Sequence, residues 1–207
     1  MTLQYRFRHL EYSGLKGIIG EQLARSFVRN KLAPTLVKEE GWDHVILSKN
    51  DYKQHAWTWN TKLFDFDCFR EDFLKYGFYA SMKLLSRYAA AIGALEQNHC
   101  TPDGILLKLK ETGKTKRLRE DSCSSLVRLR LDDSLKDGNA LKLPVVDGDL
   151  EIVEIKCGRN ARLMDRQREA YNNLIAMNVP LRLIRVKIVS FDLNRFLVEE
   201  CRHERFL

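Results

Sequence analysis

The chain has no Cys-x-x-Cys pair, no apolar run approaching a membrane span, no internal repeat and no low-complexity tract, and each absence removes a class of protein. Its five cysteines stand singly at positions 68, 100, 123, 157 and 201. That spacing supports neither a zinc ribbon nor a disulfide framework and reads as reduced, mostly buried thiols. A bilayer-spanning helix needs about 20 apolar residues, and the opening Met1-Thr2-Leu3-Gln4-Tyr5-Arg6-Phe7-Arg8 has no signal-peptide core. The expectation is an intracellular protein without a membrane partner, cytoplasmic or, in a eukaryote, nuclear.

What is present is a globular composition. Of 207 residues, 44% are apolar and 30% charged, enough to bury a core in one domain. Thirty-five Lys and Arg against 28 Asp and Glu leave a formal charge of +7, which favours an anionic partner, with nucleic acid leading.

Hydrophobic periodicity predicts a helix over about 13–32, ending before Ala33-Pro34, then a short strand at 43–48 and a long helical region over about 67–96. The aromatic-rich stripe of that region (Phe69, Phe73, Phe78, Tyr88) reads as core. Strands follow at 103–109 and 150–156, then a helix at about 163–177 stopped by Asn178 and Pro180, and a strand at 181–189. Between the two middle strands, residues 110–137 carry eight basic and six acidic side chains. This segment reads as an insertion in a hairpin, densest at Lys114-Thr115-Lys116-Arg117-Leu118-Arg119. The basic stretch suits phosphate binding or a solvated loop.

The chemistry centres on Glu154-Ile155-Lys156, which closes the apolar run from Leu150. In a strand Glu154 and Lys156 share a face roughly 6 to 7 Å apart, while Ile155 points to the other layer. Pro102-Asp103 heads the neighbouring strand. A solvated strand end would look the same locally, and Asp51-Tyr52-Lys53, with Asp43 ahead of it, is a rival triplet. On the first helix Glu21 shares a face with Gly17, Ala24, Val28 and Leu32, as an acid reaching either solvent or a site. Downstream, Gln167 falls on the apolar stripe of Leu163, Ala170, Tyr171 and Leu174. A buried amide without a partner costs about 1 to 3 kcal/mol, so Gln167 must meet either a backbone carbonyl or a group in an active site immediately above the preceding strand.

In this order of elements the chain resembles the PD-(D/E)xK nuclease superfamily, and from Val153 to Val186 its VRR-type and RecB-like branches, in which a glutamine-bearing helix follows the acidic-x-lysine strand. The rival triplet has no such helix after it. The resemblance implies an α/β, restriction-endonuclease-like fold: a mixed central sheet flanked by helices, forming one nuclease domain over 1–207 with an inserted helical segment at about 66–98 and a second insertion at about 110–148. It further implies that Asp103 and Glu154 ligate a divalent metal, Mg²⁺ or Mn²⁺, with the carbonyl of Ile155 and with Glu21 directly or through water. Lys156 would orient the attacking water or neutralise developing charge, Gln167 would position Lys156 or substrate, and Tyr171 would pack. Lys114, Lys116, Arg117 and Arg119 are the expected nucleic-acid contacts. The cysteine cluster that holds an iron-sulfur centre in some relatives is missing, so none is expected.

The function implied is a metal-dependent DNA nuclease of repair or recombination, with a non-catalytic nucleic-acid-binding module or an RNA-directed nuclease as alternatives. A homodimer is compatible with all three.

Overall fold

In the computed structural model, residues 17–48, 66–118, 141–157, 161–188 and 196–202 are described. Among these residues six strands form one mixed sheet: β1 (His44–Ser48), β2 (Tyr79–Ala80), β3 (Gly104–Leu118), β4 (Leu141–Cys157), β5 (Leu181–Ile188) and β6 (Phe196–Arg202). Their order is β1-β3-β4-β5-β6, with β2 paired beside β4. Neighbours along the main path are antiparallel except β4 and β5. A parallel pair needs a crossover, and here the connection contains the helix Asp165–Ala176.

Side-chain alternation divides the sheet into two buried faces. On one, Ile105, Leu107, Leu109, Leu150 and Ile152 form a core with helices Met82–Gln97 and Asp165–Ala176, including Tyr88, Ile92, Tyr171 and Leu174. On the other, Leu106, Val153, Ile184 and Val186 meet Ala24, Val28, Leu32 and Leu36. Those four residues lie on one continuous helix over 17–40. The helices are α1 (17–40), α2 (Phe66–Leu74), α3 (Met82–Gln97) and α4 (Asp165–Ala176). The α/β architecture expected from the sequence, a mixed sheet flanked by helices, is the one observed. No helix among the described residues is long and apolar enough to cross a membrane.

Three boundaries differ from expectation, each for a local reason. The first helix does not stop at Ala33-Pro34 but runs on to Glu40. Proline cannot bond back to the preceding turn and its ring crowds that turn's carbonyl; a π turn over Val28–Leu32 widens the helix immediately ahead of Pro34. The helical region at 67–96 is two helices, not one. Gly77, at φ 81°, reverses the chain after α2, and Ser81 caps α3 by accepting the Leu84 N–H. Finally, the strands expected at 103–109 and 150–156 are the inner parts of a longer hairpin. It pairs from Gly104 opposite Val153 out to Leu118 opposite Leu141, with a bulge between Glu111 and Thr115.

Close contact of α1 with the sheet depends on Gly20. A Cβ there would lie 2.6 Å from the Cys157 sulfur, so Gly20→Ala must push α1 off β4. Despite alanine's better helix propensity, the expected result is a net loss of about 1 to 3 kcal/mol, read as a lower denaturation midpoint in urea.

Beneath the C-terminal end of α1 lies a buried ionic cluster that the sequence reading did not anticipate. Glu151 accepts from Lys108 Nζ at 2.8 Å and from Arg182 Nε at 2.5 Å. Burial pushes the Glu151 carboxyl up, but the two donating cations outweigh it and hold the group below its usual range.

Candidate active site

The site lies where β4 outruns β3. Strand β3 starts at Gly104, opposite Val153, and Asp103 turns in ahead of it to accept the backbone N–H of Ile155 at 2.6 Å. The side chain of Asp103 is thereby tied to the middle of the Glu154-Ile155-Lys156 triplet. The interval of about fifty residues between them is consistent with one hairpin, because the intervening chain includes the long paired strands.

Glu154 is 3% exposed and both its oxygens are engaged. Oε1 meets Lys156 Nζ at 2.6 Å and accepts from Gln167 Nε2 at 2.9 Å. Oε2 accepts the Tyr171 hydroxyl at 2.6 Å. Gln167 also accepts, at Oε1, from Lys156 Nζ at 3.3 Å and from the Met164 N–H at 3.0 Å. The Met164 bond caps the start of α4, so one residue both begins the helix and fastens it to the triplet. Of the two partners considered for Gln167, the groups above the strand are the ones it meets.

From the opposite face α1 reaches the same point. Arg25 donates from Nε to Glu21 Oε1 at 3.0 Å and from Nη2 to the carbonyl oxygen of Asp103 at 2.9 Å. Arg25 therefore links Glu21 to the loop that carries Asp103.

The electrostatics follow from crowding three acids around few cations. Burial, then the charge of Glu154 and that of Glu21, raise Asp103 from 3.8 to about 6, against the opposing pull of the Ile155 N–H and Lys156. Burial and the neighbouring Glu154 carboxylate hold the Tyr171 hydroxyl protonated far above its ordinary range. Tyr171 is thus a fixed donor to Glu154. Cys100, a buried free thiol raised chiefly by burial, hydrogen-bonds with Tyr171.

Asp103, Glu154, Ile155, Lys156 and Gln167 thus come together, with Glu21 joined through Arg25. As these side chains stand, no three His, Cys, Asp or Glu among the described residues are grouped to hold one ion. The donor chemistry still fits a hard cation, because Asp103, Glu154 and a strand carbonyl offer oxygen. Lys114, Lys116 and Arg117 lie exposed on the outer half of β3, along the hairpin from the triplet. Arg119 and Asp51-Tyr52-Lys53 fall outside the described residues, while Asp43 accepts the Glu111 N–H at 2.8 Å.

Sequence reading missed Arg25 and the hydroxyl bond of Tyr171 to Glu154; Tyr171, expected to pack rather than react, does lie in the core. Both stand four residues beyond an identified position, Glu21 and Gln167 respectively, so the i,i+4 helical spacing was the available signal. No protein-family model, curated protein or solved structure matches the chain.

The Gln167 network yields a direct test. Gln167→Ala removes the donor to Glu154 and the acceptor from Lys156 while alanine preserves the helix. If the network serves the cleavage that the resemblance implies, the expected result is at least a tenfold loss of that activity in the folded fraction, with a stability loss no larger than about 1 to 3 kcal/mol. Melting temperature and metal-dependent turnover on one preparation separate the two effects.

Proposed function

We propose that the protein is a Mg²⁺- or Mn²⁺-dependent DNA nuclease of restriction-endonuclease-like fold, hydrolysing phosphodiester bonds in repair or recombination. The observation that supports this reading most is the hydrogen bond tying the Asp103 carboxylate to the Ile155 backbone, in the middle of Glu154-Ile155-Lys156. It joins an acid ahead of one strand to an acid and a lysine on the next.

Asp103, Glu154 and the carbonyl of Ile155 would hold the metal, with Glu21 from α1 directly or through water. Bound there, a divalent ion supplies a water of lowered pKa and charge stabilisation at the attacked phosphate. The protein's own groups do the remainder. Lys156, held against Glu154 at 2.6 Å, would orient the water or meet the negative charge that develops on the phosphate. Gln167 holds Lys156 and Glu154 in register. Tyr171 fixes the second Glu154 oxygen, and Arg25 fixes the loop bearing Asp103.

A second reading, a binding module of the same fold without catalysis, is favoured by one fact: both Glu154 oxygens already have protein partners. An RNA-directed nuclease is a third. Incubation with labelled single-stranded, duplex, flap and four-way-junction DNA, and with matching RNA, separates all three. Metal-dependent scission of DNA is the expected result; binding without scission supports the module, and scission confined to RNA supports the third reading.

A further inference from the structure

The hairpin of β3 and β4 is longer than the sheet that holds it. Strand β1 pairs with β3 only over 105–109, β5 pairs with β4 only over 152–157, and β2 pairs with Val145 and Val146. Farther out, residues 115–118 and 141–144 pair with each other alone among the described residues. The result is a two-stranded ribbon extending beyond the main sheet.

Its outer end is anchored. Leu118 and Leu143 close against Leu74 and Tyr79, and the Lys116 ammonium lies 5.6 Å from the centre of the Tyr79 ring. The register Lys116 opposite Leu143 puts these residues on one face, so the next pair, Arg117 opposite Lys142, lies on the other. Both members of that pair are exposed. Like charges directly opposite in an antiparallel pair destabilise it. Lys110 and Lys114 are exposed nearby, and of the described acids beside them Glu111 is engaged with His44 and Asp147 with Ser81. An anionic partner would relieve the crowding.

We infer that this ribbon grips B-form duplex DNA through its major groove, with Arg117 and Lys142 on the phosphate backbone. The inference rests on the nuclease reading for its consequence but not for the binding itself. A B-form major groove, about 12 Å wide, admits a two-stranded ribbon, whereas the deep, narrow groove of A-form RNA does not. The same strand also carries the triplet: β4 continues from Lys142 to Glu154, a distance of roughly 40 Å at about 3.3 Å per residue. That corresponds to about twelve base pairs of duplex at about 3.4 Å each. Cleavage is therefore expected about one helical turn from the gripped groove.

Fluorescence anisotropy of the full chain in chelator, with no metal and hence no scission, tests the grip. The probes are labelled DNA duplexes of about 8 and about 24 base pairs, a 24-base-pair RNA duplex and single-stranded DNA. Wild type is expected to bind the long DNA duplex about tenfold more tightly than the other three. Arg117→Ala with Lys142→Ala should remove about that factor and flatten the salt dependence by about two phosphate contacts. Its melting temperature should be unchanged or higher, because the variant removes a repulsion. Equal affinity for RNA and DNA duplexes, or an unchanged salt slope in a folded variant, overturns the inference. Ribbon-dependent DNA binding without scission when metal is restored upholds the grip and sinks the nuclease reading instead.

Discussion

Lys156→Ala is expected to lower metal-dependent DNA cleavage by about 10²- to 10³-fold, the range seen when one preorganised electrostatic stabiliser is lost from a reaction site. The fold should survive, because Glu154 keeps two of its three side-chain partners, Gln167 and Tyr171. Duplex binding should change little, since Lys156 is 15% exposed and turned toward Glu154 rather than spread along a phosphate-binding surface. The effect should therefore fall on kcat more than on KM. Single-turnover cleavage with saturating enzyme, alongside anisotropy, checks the division; a matching loss in both would recast Lys156 as a substrate-binding residue.

Asp103→Asn should change stability and activity in opposite directions. The carboxyl titrates near 6 in the folded protein against 3.8 ordinarily, so the folded state binds the proton more tightly than the unfolded chain does. Its contribution to stability is present below about pH 4 and is lost as pH rises through about 6. Above that, ionised Asp103 costs on the order of 2 kcal/mol, after discounting for its partial contact with water. Asparagine retains an oxygen for the Ile155 N–H and carries no charge. The variant should therefore match wild type in melting temperature near pH 4, exceed it above pH 6, and, on the proposed role of Asp103 as a charged metal ligand, lose metal-dependent cleavage by at least about a hundredfold. Parallel melting curves from pH 4 to 8 check the first part. A variant less stable than wild type at pH 7 would show that the ionised carboxylate is a structural group.

The parts of the site legible in sequence were those fixed by period. Alternation along β4 put Glu154 and Lys156 on one face, and the 3.6-residue period put Gln167 above them. Helical spacing likewise put Glu21 on the face of α1 that carries Ala24 and Val28, at a boundary where its side chain is 42% exposed and bonded to Arg25. What could not be read was set by tertiary contact. Pro34 looked like a stop because the π turn that accommodates it carries no plain residue signature, and Gly77 was outweighed by the apolar content on either side of it. Glu151, Lys108 and Arg182 appear in the sequence as ordinary surface charges. Only the register of three adjacent strands brings them together beneath α1. The charged character of 110–118 hid a strand because both faces there are largely exposed, leaving no hydrophobic alternation to detect.

Strand scission of a labelled DNA duplex, assayed with Mg²⁺, with Mn²⁺ and with chelator, by the wild-type chain and by Asp103→Asn on equally folded preparations, tests the proposed metal site most directly. The predicted result is scission by wild type with either metal, none in chelator, and loss of activity in the variant. Scission that persists in chelator, or that Asp103→Asn leaves at the wild-type rate, would contradict a metal-dependent site built on Asp103, Glu154 and Lys156.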